Sequence, residues 1–152
     1  MHFLEWLNTS ALANAMNGPE WAFPLVETFH FIGFALLIGT IAIVDLRLLG
    51  WGMRRQSPSQ LVTDLAPWTL AGLVVMLTTG PAMFSADAVV YFYNPSFRLK
   101  MICLFAAIIF NYTVHLKVAK SDNSSVAGKL VACLSLVLWT GVLAGGRMIA
   151  FV

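Results

Sequence analysis

The chain has 152 residues, 59% of them hydrophobic and 11% charged, with a formal net charge of +2. A soluble domain is roughly 45–50% apolar and about 25% charged, so this composition exceeds what one small core can hide, and lipid must cover the rest. The small, scattered positive charge excludes a nucleic-acid footprint. The lack of any CxxC or CxxCH spacing around Cys103 and Cys133 leaves a zinc ribbon, a redox pair and covalent haem attachment unsupported.

Residues 1–20 are expected to form an amphipathic helix on the outer membrane surface or over the end of a bundle. Leu4, Leu7, Ala11 and Ala15 fall at helical spacing, and Asn17-Gly18 ends the pattern. This stretch holds Glu5 and Glu20 but no Lys or Arg, so it does not read as a cleaved leader, and Met1 is expected in the mature chain. His2 is expected to face solvent.

Four membrane spans follow, at about 22–48, 65–86, 95–117 and 127–151, each close to the roughly 20 apolar residues that cross a bilayer as a helix. Pro24 suits a first helical turn, and Asn94-Pro95 reads as an N-cap and first position. Short polar connections, RRQSPSQ and KSDNSSVAG, predict antiparallel neighbours. Arg47, Arg54, Arg55, Lys117, Lys120 and Lys129 flank those connections, which places them in the cytoplasm and both termini outside. Trp6, Trp21, Tyr91 and Tyr93 then form an outer aromatic belt, and Trp51 and Trp68 an inner one. Gly141 and Gly145 make a GxxxG for close helix packing, with Gly33 and Gly39 thinning the first span. Cys103 and Cys133 fall toward opposite faces, too far apart for a disulfide. The fold class is all-α: an integral membrane four-helix bundle.

Ionisable residues inside a span cost about 2.5–3.5 kcal/mol each by insertion scales, so each calls for a partner or a task. Glu27 and His30 stand one turn apart on the first span, and three roles are open to them. The carboxylate could orient an imidazole that ligates a metal or haem iron; the pair could pass a proton; or both could join Arg147 in a structural network. Haem b is the cofactor expected at His30, with Arg98, Lys100 and Arg147 at the same end to meet its propionates. His115 is the candidate second ligand, although it lies about 10 Å deeper than His30; Met76, Met83 and Met101 are nearer in depth. Copper is the alternative metal. A di-iron site is excluded, because ExxH occurs once and Glu5 and Glu20 precede the spans.

At the inner end, VDLRLLG sets Asp45 against the helix dipole, so a cation such as Lys117 or Arg54 is expected beside it, with Arg47 pointing elsewhere. Asn111, one turn before His115, calls for an interhelical hydrogen bond. No hydrolase, zincin, P-loop or dinucleotide fingerprint occurs, and the chain is expected to make no bonds on its own.

ETFHFIGFALLIG, VDLRLLG, TTG in the second span and FRLK leading to Asn111 resemble a group of small bacterial four-helix membrane proteins known as a domain of unknown function. The resemblance implies residence in the bacterial inner membrane and weight on Glu27, His30, Asp45, Arg47 and Lys100, without roles for them. More distantly the layout is similar to four-helix b-type cytochromes and copper-resistance membrane proteins. The expected function is a membrane subunit that binds haem b through His30 and moves electrons between a partner protein and the quinone pool. The alternatives are a structural or assembly subunit, or a copper or proton pathway. Lipid and a partner membrane protein or a second copy are the expected contacts.

Overall fold

A computed structural model describes residues 2–53, 55–121 and 126–151, and these are mostly helical with no strand among them. Two short helices, α1 (His2–Asn8) and α2 (Ala11–Asn17), precede the first span α3 (Ala22–Leu49). The second span is α4 (Pro58–Ala86), followed by the short α5 (Ala88–Tyr93). The third is built from α6 (Pro95–Phe110), a π-helical turn (Asn111–His115) and α7 (Leu116–Lys120). The fourth, α8 (Val126–Met148), ends in a 3-10 turn, Ile149–Phe151.

Each span is 26 to 29 residues long. At about 1.5 Å per residue that is roughly 39–44 Å, enough to cross a hydrocarbon core of about 30 Å. Large apolar side chains such as Phe31, Ile102, Phe105, Ile109, Leu130 and Val137 are exposed, whereas His30, Thr40, Asp45, Asn111, His115 and Ser135 are buried. An apolar exterior around a polar interior is stable in lipid and not in water, which identifies a membrane protein.

Local chemistry sets the ends of the spans. Gly50 closes α3 at φ 84, a left-handed cap that glycine adopts without strain, and the Trp51 N–H reaches back to the Leu46 carbonyl at 2.9 Å. Ser57 caps α4 through the Gln60 N–H, with Pro58 in the first turn. Asn94 caps α6 through the Phe97 N–H at 3.1 Å, followed by Pro95, and its side-chain amide donates to the Ile149 carbonyl at 3.3 Å. One asparagine thus starts the third span and ties down the end of the fourth.

Helix α3 packs on α4 and α8, α6 packs on α8, and α7 on α4, so neighbours in sequence are neighbours in the bundle. Small residues allow the close approaches. A Cβ on Gly72 would lie 2.7 Å from the Gly33 carbonyl oxygen, and one on Gly145 would lie 3.0 Å from the Lys100 backbone nitrogen. Gly141 receives the Cys103 thiol, where a Cβ would stand 2.9 Å from Sγ. Gly39 has nothing within 4 Å, so the expectation that it thins α3 for packing is corrected. Both cysteines are free, and Cys133 is exposed.

The N-terminal segment is two helices rather than one continuous stretch. Ser10 breaks it by accepting the Ala13 N–H, and the face turned inward carries Ala13 and Met16, while Ala11 and Ala15 are exposed. Asn8 accepts the Ala88 N–H at 2.6 Å and Asn17 donates to the Ala86 carbonyl at 2.8 Å, which fastens α1 and α2 over the joint between α4 and α5. The start of α1 and the Ile149–Phe151 turn therefore lie at one end of the bundle, and the C-terminal ends of α3 and α7 lie at the other.

Candidate functional site

Two buried polar clusters occupy the bundle, one toward each end. The first surrounds His30, about 12 Å along α3 from Ala22. Its Nδ1 stands 2.8 Å from the Thr79 hydroxyl, and that hydroxyl donates its single hydrogen to the Val75 carbonyl at 2.6 Å. In that arrangement Thr79 Oγ1 acts toward the ring as an acceptor, and the tautomer that satisfies both contacts has the proton on Nδ1 and a lone pair on Nε2. Gly80 follows Thr79, and even a Cβ there would sit 3.6 Å from the ring's Cε1. Lys100 reaches the same region: it lies over Gly146, where a Cβ would touch Cδ, Cε and Nζ at 3.7 Å, and its charge acts on His30.

The second cluster joins three spans around Asp45, which is fully buried. A carboxylate only accepts hydrogen bonds, so His115 donates through Nε2–H to Oδ1 at 2.6 Å, while the Ser135 hydroxyl donates to Oδ2 at 2.7 Å. The remaining ring nitrogen, His115 Nδ1, is buried without a partner among the described residues. It belongs to the π-helical turn, whose Leu116 N–H bonds the Asn111 carbonyl five residues back. The buried positions of the third span, Ala107, Asn111, His115 and Ala119, recur every four residues. A straight α-helix turns a residue four positions on by about 40°, or about 120° over three such steps. The wider turn takes up that drift and keeps all four on the inward face.

Between the clusters lies a layer made by Leu37, Ile41, Leu73, Met76, Trp139 and Val142. His30 and Asp45 are fifteen residues apart on α3, about 22 Å. The structure therefore does not bring His30 and His115 together.

The other expected site residues fall as follows. Glu27 is half-buried, makes no hydrogen bond to His30, and acts electrostatically on the Tyr91 phenol. Arg147 lies over the Phe151 ring at 5.3 Å, and Arg98 is exposed, donating to the Phe92 carbonyl at 2.8 Å and lying over the Phe92 and Tyr93 rings. The expected Glu27, His30 and Arg147 network is thus replaced by a pairing of His30 with Thr79. Asp45 pairs with His115 and Ser135 instead of Lys117, which is exposed; Arg54 lies outside the described residues. Arg47 points elsewhere, donating through Nε to the Gln56 carbonyl at 2.6 Å. Asn111 lines a cavity, and its carboxamide makes no hydrogen bond to another described residue. Among the described residues no three His, Cys, Asp or Glu side chains gather as a metal site.

Thr79 is marked in the sequence only as part of TTG, with no role, and Ser135 and the Thr40–Thr69 pair not at all, since hydroxyls are common in membrane helices and carry no charge. A usable signal was depth: Asp45 lies five residues before Gly50, His115 five before Lys120, and Ser135 six after Lys129.

Four apolar spans around buried histidine clusters define a small integral membrane protein of the helical-bundle class. Its sequence matches the family of unknown function DUF6644 over residues 3–152, and the chain belongs to that family. No curated protein and no solved structure matches it.

Proposed function

We propose that the chain is a small integral membrane subunit of electron transfer, with His30 as an axial ligand of haem b. The observation that carries this reading is the 2.8 Å pairing of His30 Nδ1 with the Thr79 hydroxyl. With the Thr79 hydrogen given to the Val75 carbonyl, Nδ1 would carry the ring proton, and Nε2, the nitrogen free to ligate, has no partner among the described residues. His30 is 7% exposed, so the imidazole is held inside the bundle.

The residues fit one axial position. Lys100 is a cation beside His30 that can hold a propionate, and the outer halves of α4 and α6 are bridged by the stacked rings of Phe84 and Phe97, 5.3 Å apart. His115 is held at the opposite end by Asp45, so a further ligand would be Met76, Met83 or Met101, which are nearer in depth, or a group from a partner protein or a second copy. The bound haem supplies one-electron chemistry; the chain binds it, orients the imidazole and excludes water with the apolar layer below. Lipid placement puts the subunit within reach of dissolved quinones. We place it in a bacterial inner membrane with the basic connections in the cytoplasm and both termini outside, following the distribution of Arg47, Arg55, Lys117, Lys120 and Lys129.

Protein purified in detergent after expression with haem supplied is expected to show a Soret band that His30→Ala abolishes. Absence of the band, or a band unchanged in His30→Ala, ends the reading. A structural or assembly role is the second reading, favoured by the bonds from Asp45 that tie three spans together; under it His30→Gln leaves function intact. The apolar layer between the clusters argues against a continuous proton path.

A further inference from the structure

Four residues of α6 share one outward face. Arg98, Ile102, Phe105 and Ile109 stand at i, i+4, i+7 and i+11, the spacing of a single helical stripe, and all four are exposed. One cation thus heads a run of large apolar side chains, with Ile102 68%, Phe105 59% and Ile109 63% exposed.

Depth fixes what surrounds that cation. The third span has 26 residues, roughly 39 Å, so about 4–5 Å at each end stands outside a hydrocarbon core of about 30 Å and lies in the headgroup layer. Arg98 follows the first residue of that span, Pro95, by about 4.5 Å along the axis, which puts it at the boundary where lipid phosphates meet acyl chains. The apolar residues below it run on into the hydrocarbon.

The guanidinium is held in place. Its Nε–H donates to the Phe92 carbonyl at 2.8 Å, and its Cζ lies 5.4 Å from the centre of the Phe92 ring and 5.9 Å from that of Tyr93. Those two rings meet edge to face at 5.4 Å, so each fixes the other. Nε is thereby used, and both Nη groups keep their donors, none bonded to a described residue. No carboxylate among the described residues stands within 4 Å of Arg98, nor of Lys100 or Arg147 at the same end. A guanidinium without a counter-charge at the edge of a low-dielectric layer is costly, and its planar fork matches two oxygens of a phosphate.

We propose that this flank of α6 is a site for an anionic phospholipid, its phosphate held by the Arg98 fork and an acyl chain laid along Ile102, Phe105 and Ile109. A zwitterionic lipid brings its own cation to a rim where Arg98, Lys100 and Arg147 already lack carboxylates, so the charge favours a headgroup with net negative charge. A free phosphate would meet the guanidinium and leave the apolar stripe unused. The site stands apart from haem binding, since it lies on the outward face of α6 and uses neither His30 nor Lys100.

The test is native mass spectrometry of the full chain released from detergent with phosphatidylglycerol, phosphatidylcholine or inorganic phosphate added. Retention of one phosphatidylglycerol in preference to phosphatidylcholine, undiminished by excess inorganic phosphate, is the expected result. Arg98→Lys keeps the charge and loses the fork, while Phe92→Leu keeps the carbonyl and loses the ring; each should lower retention severalfold with helix content unchanged by circular dichroism. Arg55→Lys, at the opposite end of the bundle, should leave retention as it is. Equal retention of the two lipids, displacement by inorganic phosphate, or retention indifferent to both Arg98→Lys and Phe92→Leu overturns the proposal.

Discussion

Asp45 and His115 are 70 residues apart in sequence and 2.6 Å apart in space, both buried where α3 meets the π-helical turn. Ser135 completes the contact from α8, so one carboxylate links three of the four spans. Breaking a buried pair strands the surviving polar group at about 3–5 kcal/mol, while loss of a single hydroxyl donor costs about 1–3 kcal/mol. Asp45→Ala is therefore expected to destabilise the bundle more than Ser135→Ala, as measured by thermal unfolding in detergent. Equal stability of both variants and the parent would show that the bonds do not hold the spans together.

Helix contact through glycine makes a second prediction. Gly145→Ala places a Cβ 3.0 Å from the Lys100 backbone, which must shift, at an expected cost of about 1–3 kcal/mol. Gly39→Ala meets nothing within 4 Å and gains helix propensity of up to about 1 kcal/mol. Denaturation midpoints should move in opposite directions for the two variants, and a shared direction would place the α6–α8 contact elsewhere.

Tyr91 lies in α5, between spans, where burial first, then Asp87 and Glu27, push its phenol above the ordinary value of about 10. The folded state therefore favours the neutral phenol more than the unfolded chain does. The resulting stabilisation is complete below pH of about 10 and is lost as pH climbs through the raised folded value. Phenolate absorbance followed against pH should show one late-titrating tyrosine that disappears in Tyr91→Phe. Its transition should move toward the ordinary value in Asp87→Asn; an unmoved transition would remove Asp87 as a cause.

The bundle was legible in the sequence because uncharged windows and the Asn94-Pro95 and GxxxG signals are each tied to one physical requirement: hydrocarbon thickness, helix initiation or backbone approach. The sites were less so. His30 stood out as an ionisable group in a span, but its partner is Thr79, a hydroxyl with no periodicity or charge to mark it. His115 was measured from the wrong end: counted from Lys100 it looks like a deep mismatch to His30, and counted from Lys120 it matches Asp45. The π-helical turn left no composition signal, since it arises from keeping Asn111 and His115 on one face against the drift of an ordinary helix. The N-terminal helices turned a different face inward because Ser10 caps a new helix and resets the phase.

Thr79→Val separates the role of the hydroxyl from that of the ring. Valine preserves shape but cannot accept the Nδ1 proton, so the tautomer of His30 is no longer held. If haem binds through Nε2, the variant should bind it about 10-fold to 100-fold more weakly, the usual effect of losing such a support. Equal affinity in a haem titration would detach Thr79 from the site.

The most direct measurement is the ¹⁵N NMR spectrum of the His30 ring in the full chain in bilayers at neutral pH, before and after haem is added. A protonated Nδ1 and a bare Nε2, with the Nε2 resonance shifted or broadened by haem, is the predicted result. A proton on Nε2, or a ring indifferent to haem, would contradict the reading of His30 as a ligand held by Thr79.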